Sequence, residues 1–336
     1  MLPGGRKMKI CKAVRGALCL ALVGFCGPAR AADQAATCDR ACLDGLLDDY
    51  VAALIAHDPG RLPVAEDVKF TENLVPLAFG KEGLWRTATG RRDFNIYVPE
   101  PERGNVAWFG IIKEMDKPVF LAVRLKVEGK TITEVETLVG RSPLDNAAKA
   151  APPRPGFAQD VAPADRSRRE ELIRIANTKW NAFEDTSKGA LIPYADDCER
   201  HDNGVLTAGT RPSGASEASP APGERRLTTC RQQMTSGRFN NGNTVDPRRI
   251  WAVDQQRGLV VGLFTPNVPG DHKVITMNNS EKLTAGPGEL VPFTIEQVEL
   301  FKIIGGKIHM VEVVYGPRVP YGMRSPFDMK TLWKHR

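Results

Sequence analysis

Residues 50–74, YVAALIAHDPGRLPVAEDVKFTENL, lie over residues 180–204, WNAFEDTSKGALIPYADDCERHDNG, at a constant offset of 130 without a gap. Ala52/Ala182, Pro63/Pro193, Ala65/Ala195, Asp67/Asp197 and Asn73/Asn203 are identical, and Tyr50/Trp180, Leu62/Ile192, Glu66/Asp196 and Glu72/Asp202 are chemically similar. The order of features continues beyond this window. Arg103-Gly104 matches Arg257-Gly258, each before an apolar run, and Val135-Glu136 and Gly140 match Val311-Glu312 and Gly316. Self-similarity carried through one element after another is the mark of a duplication.

Each copy opens on an amphipathic helix. Leu43, Leu46, Leu47, Tyr50, Val51 and Leu54 recur at helical spacing, as do Leu172, Ile173, Ile175, Ala176, Trp180 and Phe183. Each copy closes on long strands. Residues 105–112 form one, 119–127 alternate with Arg124 and Lys126 on one face, Glu128-Gly129-Lys130 turns, and 131–139 return. Residues 259–264, 293–303 and 307–315 repeat that pattern about Gly305-Gly306. A helix followed by an antiparallel meander predicts an α+β fold, a curved sheet wrapped on a helix, present twice. Between the copies, 142–167 carry Pro143, Pro152, Pro153, Pro155 and Pro163 and read as a Pro/Ala-rich linker. The domains expected are therefore 32–141 and 168–318, the second with Gly/Ser/Pro-rich inserts at 205–229 and 265–290, and a tail over 319–336.

Residues 1–31 read as an export signal: a basic stretch from Arg6 to Lys12, an apolar run from Gly16 to Gly27, then Ala29-Arg30-Ala31 as cleavage site. Met1 or Met8 serves as initiator on this reading. The segment holds six basic residues and no acid. Without it, 46 Lys+Arg fall to 40 against 40 Asp+Glu, so the exported chain is formally neutral. The basicity is then no argument for nucleic acid. No later run reaches the length of a membrane span. The place implied is the periplasm or the exterior.

Four cysteines follow the signal: Cys38, Cys42, Cys198 and Cys230. An even number in an oxidising compartment predicts two disulfides. Of the three pairings, Cys38–Cys42 at a helix start and Cys198–Cys230 across the first insert are favoured. The spacings do not match a zinc site, so no metal is expected.

Phe70-Thr71-Glu72-Asn73, Gly83-Leu84-Trp85-Arg86-Thr87, Arg124-Leu125-Lys126-Val127 and Ile132-Thr133-Glu134-Val135-Glu136 resemble the cone-shaped nuclear transport factor 2-like superfamily, within it the SnoaL-like group. The resemblance is clearest over 40–141 and weaker over 168–318; Leu74 replaces the usual Gly after Glu-Asn, which Gly204 retains. It implies a pocket at the open end of each cone. It also implies cofactor-independent acid–base chemistry on an apolar or aromatic small molecule, of the lyase, dehydratase or isomerase kind, or else a non-catalytic binding or assembly module.

The candidate residues follow. In the first copy they are Glu72, Asn73, Trp85, Arg124 and Glu136, for substrate binding. The second copy is richer. There His201, Asp202 and Glu312 are the acid–base candidates, with Arg200, Asn203 and Tyr315 to hold substrate. Strand alternation sends His201 and Asn203 to one face and Arg200 and Asp202 to the other. Nucleotide-binding glycine motifs, a nucleophile elbow and a zinc-protease helix motif are absent from the sequence. No cofactor is expected. A homodimer through the sheet faces, or an intramolecular pairing of the two cones, is the expected assembly.

Overall fold

The computed structural model describes residues 38–141, 146–209, 228–286, 288 and 290–328. The segment read as an export signal, 1–31, most of the 205–229 insert and the end of the tail lie outside them.

The first half begins with α1 (Arg40–Ala56), capped by the Asp39 carboxylate on the Cys42 amide and ended by His57 in the left-handed region. A six-stranded sheet follows: β1 (Val64–Glu72), β2 (Val75–Pro76), β3 (Ala88–Glu100), β4 (Asn105–Glu114), β5 (Lys117–Glu128) and β6 (Thr131–Val139). Their order is β2-β1-β6-β5-β4-β3. Only β1 and β6 run parallel.

The second half repeats this. It comprises α2 (Arg169–Glu184), β7 (Tyr194–Asp202), β8 (Val205–Ala208), the short α3 (Cys230–Thr235), β9 (Thr244–Asp254), β10 (Leu259–Val268), a small hairpin of β11 (Val274–Thr276) and β12 (Lys282–Thr284), β13 (Phe293–Ile304) and β14 (Lys307–Pro320). Its sheet runs β8-β7-β14-β13-β10-β9, strand for strand the order of the first, with β7 and β14 the parallel pair. The α+β reading and the two cone-shaped units follow directly from this order. Strands β3 and β9, at the sheet edges, are additions to the sequence reading.

The burial pattern refines the repeat. The buried faces of α1 and α2 superimpose at an offset of 129: Leu43, Leu46, Leu47, Tyr50, Val51, Ala53 and Leu54 fall on Leu172, Ile175, Ala176, Lys179, Trp180, Ala182 and Phe183. Tyr50 therefore takes the place of Lys179, and Val51 that of Trp180. Along β1 and β7 the offset of 130 holds, since Phe70 pairs Val135 as Arg200 pairs Val311.

Alternation along the strands divides two kinds of core. Leu121, Val123, Leu125 and Val127 of β5 pack against α1. Phe301 and Ile303 of β13 pack with Leu172 and Ile175 of α2. The opposite faces, with Phe109, Phe120 and Ala122 from one sheet and Leu263, Val298 and Leu300 from the other, meet in a third core. The two cones thus sit back to back, and the sheet faces pair within one chain.

Two ion pairs show the symmetry of this joint. Arg40, the first residue of α1, donates from Nη1 and Nη2 to Asp254 at the end of β9, at 2.9 and 2.7 Å. Arg169, the first residue of α2, donates from Nε to Glu100 at the end of β3, at 2.6 Å. Each helix start reaches the acid of the other cone, the reciprocity of an isologous interface.

The linker is docked. Ala147, Phe157 and Val161 are buried. Arg154 donates to the carbonyls of Glu199 (2.9 Å) and Val311 (2.7 Å) on the second sheet. Cys38–Cys42 and Cys198–Cys230 are both bridged, with Cα atoms 5.2 and 6.0 Å apart. The described part of the tail lies along the joint between sheets, where Ser325 Oγ donates to Glu136 at 2.6 Å.

Candidate functional site

The interiors of the two cones differ in chemistry. In the second, Lys179 projects from α2 into an aromatic cup, its Nζ 4.6 Å from the Phe183 ring centre and 5.9 Å from those of Phe264 and Phe301. It forms an ion pair with Glu299 of β13, both side chains fully buried. Trp180 Nε1 donates to the other Glu299 oxygen at 2.8 Å. Burial drives the Lys179 ammonium down to about 8, with Arg200 adding repulsion and Glu299 opposing both.

Arg200 of β7 extends the cluster outward. Its Nε donates to Asp202 Oδ1 and its Nη2 to the Tyr315 hydroxyl, each at 2.7 Å, and Nη2 lies 3.6 Å from Glu299. Its Nη1 meets Gln233 Oε1 of α3 at 3.4 Å. Burial works against its charge, but Asp202, Tyr315 and Glu299 outweigh it and hold the guanidinium above its ordinary value. Asp202 also accepts from Thr207 Oγ1 at 2.9 Å. Tyr315 is pushed upward by burial, so its hydroxyl stays protonated as a donor. The cluster runs from fully buried Lys179 and Glu299 to half-buried Asp202, Tyr315 and Gln233. The Cys198–Cys230 bridge ties α3 to β7 beside it.

The first cone keeps an acid, Glu72, at the position of Asp202 and fills the others with apolar or aromatic groups. Tyr50 stands for Lys179, Val51 for Trp180, Phe70 for Arg200, Val123 for Glu299 and Val139 for Tyr315, by strand register. Trp108 of β4 matches Gly262 of β10, since they pair Val123 and Glu299 respectively. A Cβ on Gly262 would lie 2.3 Å from the Trp180 ring, so glycine there makes room for the indole. Trp85 is core: its ring stands edge-on to Tyr50 and Phe79, with centroids 5.7 and 5.0 Å apart.

The sequence candidates therefore separate. Arg200, Asp202 and Tyr315 come together inside the second cone. His201 and Glu312 do not join them. They pair across β7 and β14 on the opposite face, where Arg154 of the linker holds Glu312 at 3.0 Å. Alternation is the reason: the register shift between Arg200 and His201 places its extra residue on β8, so β7 still sends His201 and Asp202 to opposite faces. Burial, then Arg154, lowers His201 to about 4, and burial against the pull of Arg154 raises Glu312 to about 7.

Asn73 and Asn203 are strand clamps. Asn73 exchanges two hydrogen bonds with the Val139 backbone (3.1 and 2.8 Å), and Asn203 does the same with Tyr315 (3.4 and 2.7 Å). Both occupy positive φ. Glu72 accepts from the Leu84 amide at 2.7 Å and from Arg141 at 2.6 Å, closing the first cone. Arg124 and Glu136 pair across the hairpin at 3.3 Å on the joint face, where Arg249 also reaches Glu136 at 3.1 Å. Lys179, Trp180, Glu299 and Gln233 were not among the candidates. Their signal was a Lys on the apolar helical stripe and an acid at an inward position of an apolar strand.

One helix in a curved sheet, with β1 and β6 parallel and the same strand order in both halves, decides the fold. Both halves share this cone-shaped α+β fold. Residues 165–315, which include most of the second half, match the family model described as "Domain of unknown function (DUF8021)". No curated protein matches the chain. Two solved structures are similar to it. One is an NTF2-like protein of unknown function from Cytophaga hutchinsonii, at 13% identity and TM-score 0.25, covering 30% of this chain and 93% of that one. The other, from a Silicibacter species, is described as a polyketide cyclase, at 13% identity and TM-score 0.27, covering 44% and 90%. Among the described residues no group of His, Cys, Asp and Glu is arranged to hold a metal, and no helix is long and apolar enough to cross a membrane.

Proposed function

We propose that this is an exported protein whose second cone binds an apolar or aromatic small molecule and acts on it by cofactor-independent acid–base chemistry, as a lyase, dehydratase or isomerase. The first cone serves as its fixed partner. The observation that carries this is the convergence of Lys179, Glu299, Arg200, Asp202 and Tyr315 in an aromatic cup, where the sister cone keeps an acid only at Glu72 and is otherwise filled by Tyr50, Val123, Phe70 and Val139. Polar groups that converge among apolar walls are a common feature of binding and catalytic sites. Asp202, half-buried and held by Arg200 and Thr207, is the proton acceptor in this reading. Lys179, lowered to about 8, is placed to supply a proton near neutral pH. Tyr315 and Arg200 supply donors to an oxygen that gains charge. The export signal and both disulfides support a place outside the cytoplasm.

A second reading has its own support: Arg200 Nε and Nη2 are satisfied within the chain, as a purely structural ion network would be. Proton exchange separates the two. Incubated in D2O with 2-tetralone, the protein should speed deuterium entry at the carbon beside the carbonyl, read by NMR. Asp202→Asn should lose on the order of 10²–10⁴ of that rate. No acceleration by wild type across a panel of alicyclic and aromatic ketones would leave the binding or assembly module standing.

A further inference from the structure

We infer that the second cone takes a neutral, amide-bearing aromatic ligand, and that Gln233 of α3 is its built-in competitor. The inference rests on the reading of this cone as a ligand site. Arg200 commits Nε and Nη2 to Asp202 and Tyr315 at 2.7 Å, leaving Nη1 with only the longer 3.4 Å contact to Gln233 Oε1. The same carboxamide donates from Nε2 to the Thr207 carbonyl at 3.1 Å. A side-chain amide thus holds one donor and one acceptor of the site. It is carried on a six-residue helix from an insertion, anchored by the Cys198–Cys230 bridge and by buried Met234. In the first cone the segment after β2 brings the buried aromatic ring of Trp85 against Tyr50 instead. Each plug matches the chemistry of its own cone.

Charge balance selects an amide over a carboxylate. The interior holds two cations, Lys179 and Arg200, and two anions, Glu299 and Asp202. An added carboxylate would be a third buried anion beside Asp202, without a free cation to compensate it. A carbonyl oxygen on Arg200 Nη1 adds no charge. A second observation asks for an N–H. Gln297 lies opposite Tyr315 in the register, on the strand face it shares with Glu299. It is 3% exposed, and its Oε1 has no hydrogen-bond partner. A buried acceptor left unmade is costly, and the N–H of a ligand amide would satisfy it. The rings of Phe183 and Phe264 supply the aromatic wall.

The test is equilibrium dialysis of the full chain against 2-naphthamide, 2-naphthoate and 2-methylnaphthalene. 2-Naphthamide should bind tightest and 2-naphthoate weakest. Gln233→Ala, on a half-exposed side chain, should tighten 2-naphthamide on the order of tenfold by removing the competitor. Gln233→Glu should weaken it, because the new carboxylate pairs with Arg200. Equal or tighter binding of 2-naphthoate, or a 2-naphthamide affinity unmoved by both variants, overturns the amide inference while 2-methylnaphthalene binding keeps the apolar cone. Failure of all three compounds to bind wild type and Gln233→Ala overturns the cone reading as well.

Discussion

Glu299→Val places in the second cone the residue that the first carries at the same register position, Val123. The side chain therefore suits the fold, and the cost of the change is electrostatic. It leaves Lys179 fully buried among Phe183, Phe264 and Phe301 without its counter-ion. Breaking a buried pair by removing one partner costs about 3–5 kcal/mol. Lys179 stands at about 8 with Glu299 helping to keep its proton. Without Glu299 it falls further and is neutral in the folded state. The unfolded chain still binds that proton at pH 6–8, so the variant gains stability as pH rises, about 1.4 kcal/mol per pH unit. Wild type, protonated in both states below about 8 at this site, does not. The gap should narrow from pH 6 to pH 8. Adding Lys179→Met removes the stranded charge. What remains is the Trp180 Nε1 donor without its acceptor, about 1–3 kcal/mol, with no pH dependence from this site. Urea denaturation followed by tryptophan fluorescence and by circular dichroism measures all three proteins. A single-variant cost below about 1 kcal/mol, a gap flat with pH, or a double variant at least as unstable as the single one would refute the reasoning.

Two further outcomes are expected at the joint between the cones. Glu296 of β13 is fully buried on the joint face with both carboxyl oxygens unpartnered, where the repeat places Phe120 in the other sheet; burial raises it well above its ordinary value. The folded state keeps a proton that the unfolded chain releases above about 4.5, so this group lowers stability as pH rises. Glu296→Gln should match wild type near pH 4 and exceed it at pH 8, by upwards of about 1.4 kcal/mol; thermal melts across that range check it, and equal gains at both pH values would count against the assignment. The Arg169–Glu100 pair at 2.6 Å should cost on the order of 3–5 kcal/mol when Arg169→Glu sets two acids together. The exchange Arg169→Glu with Glu100→Arg should recover more than about 1 kcal/mol of it in calorimetry, and simple additivity of the two changes would deny the contact.

Much of the architecture was legible because it rests on period and repetition. The helix stripes, the central hairpins and the turns at Gly129 and Gly305 announce themselves through spacing alone. The edge strands were not legible. β3 carries Arg91-Arg92-Asp93 in its first half, and β9 carries Pro247-Arg248-Arg249, so neither reads as a half-buried strand. Phe94, Ile96 and Val98 of β3 and Trp251 and Ala252 of β9 take their burial in the core shared with the other cone, which the local pattern does not contain.

The site was half legible for a related reason. Arg200 and Asp202 stand out as a charged knot at a strand end, and alternation assigns them one face and His201 the other, as found. Lys179 and Glu299 are hidden by their surroundings. A lysine on an apolar stripe reads as a flank whose head reaches water. A lone acid in Val298-Glu299-Leu300-Phe301 reads as an interruption. Each makes sense only against the other, 120 residues away. The duplication supplies the missing comparison, once the helices are set at their true offset of 129. Tyr50 then stands beside Lys179, Val123 beside Glu299 and Phe70 beside Arg200. A shared fold holds the positions constant, so each exchange of an apolar residue for a charged one isolates what folding did not require. The three exchanges Tyr50/Lys179, Val123/Glu299 and Phe70/Arg200 gather around one aromatic cup, and the other cone keeps apolar and aromatic packing at the same three places.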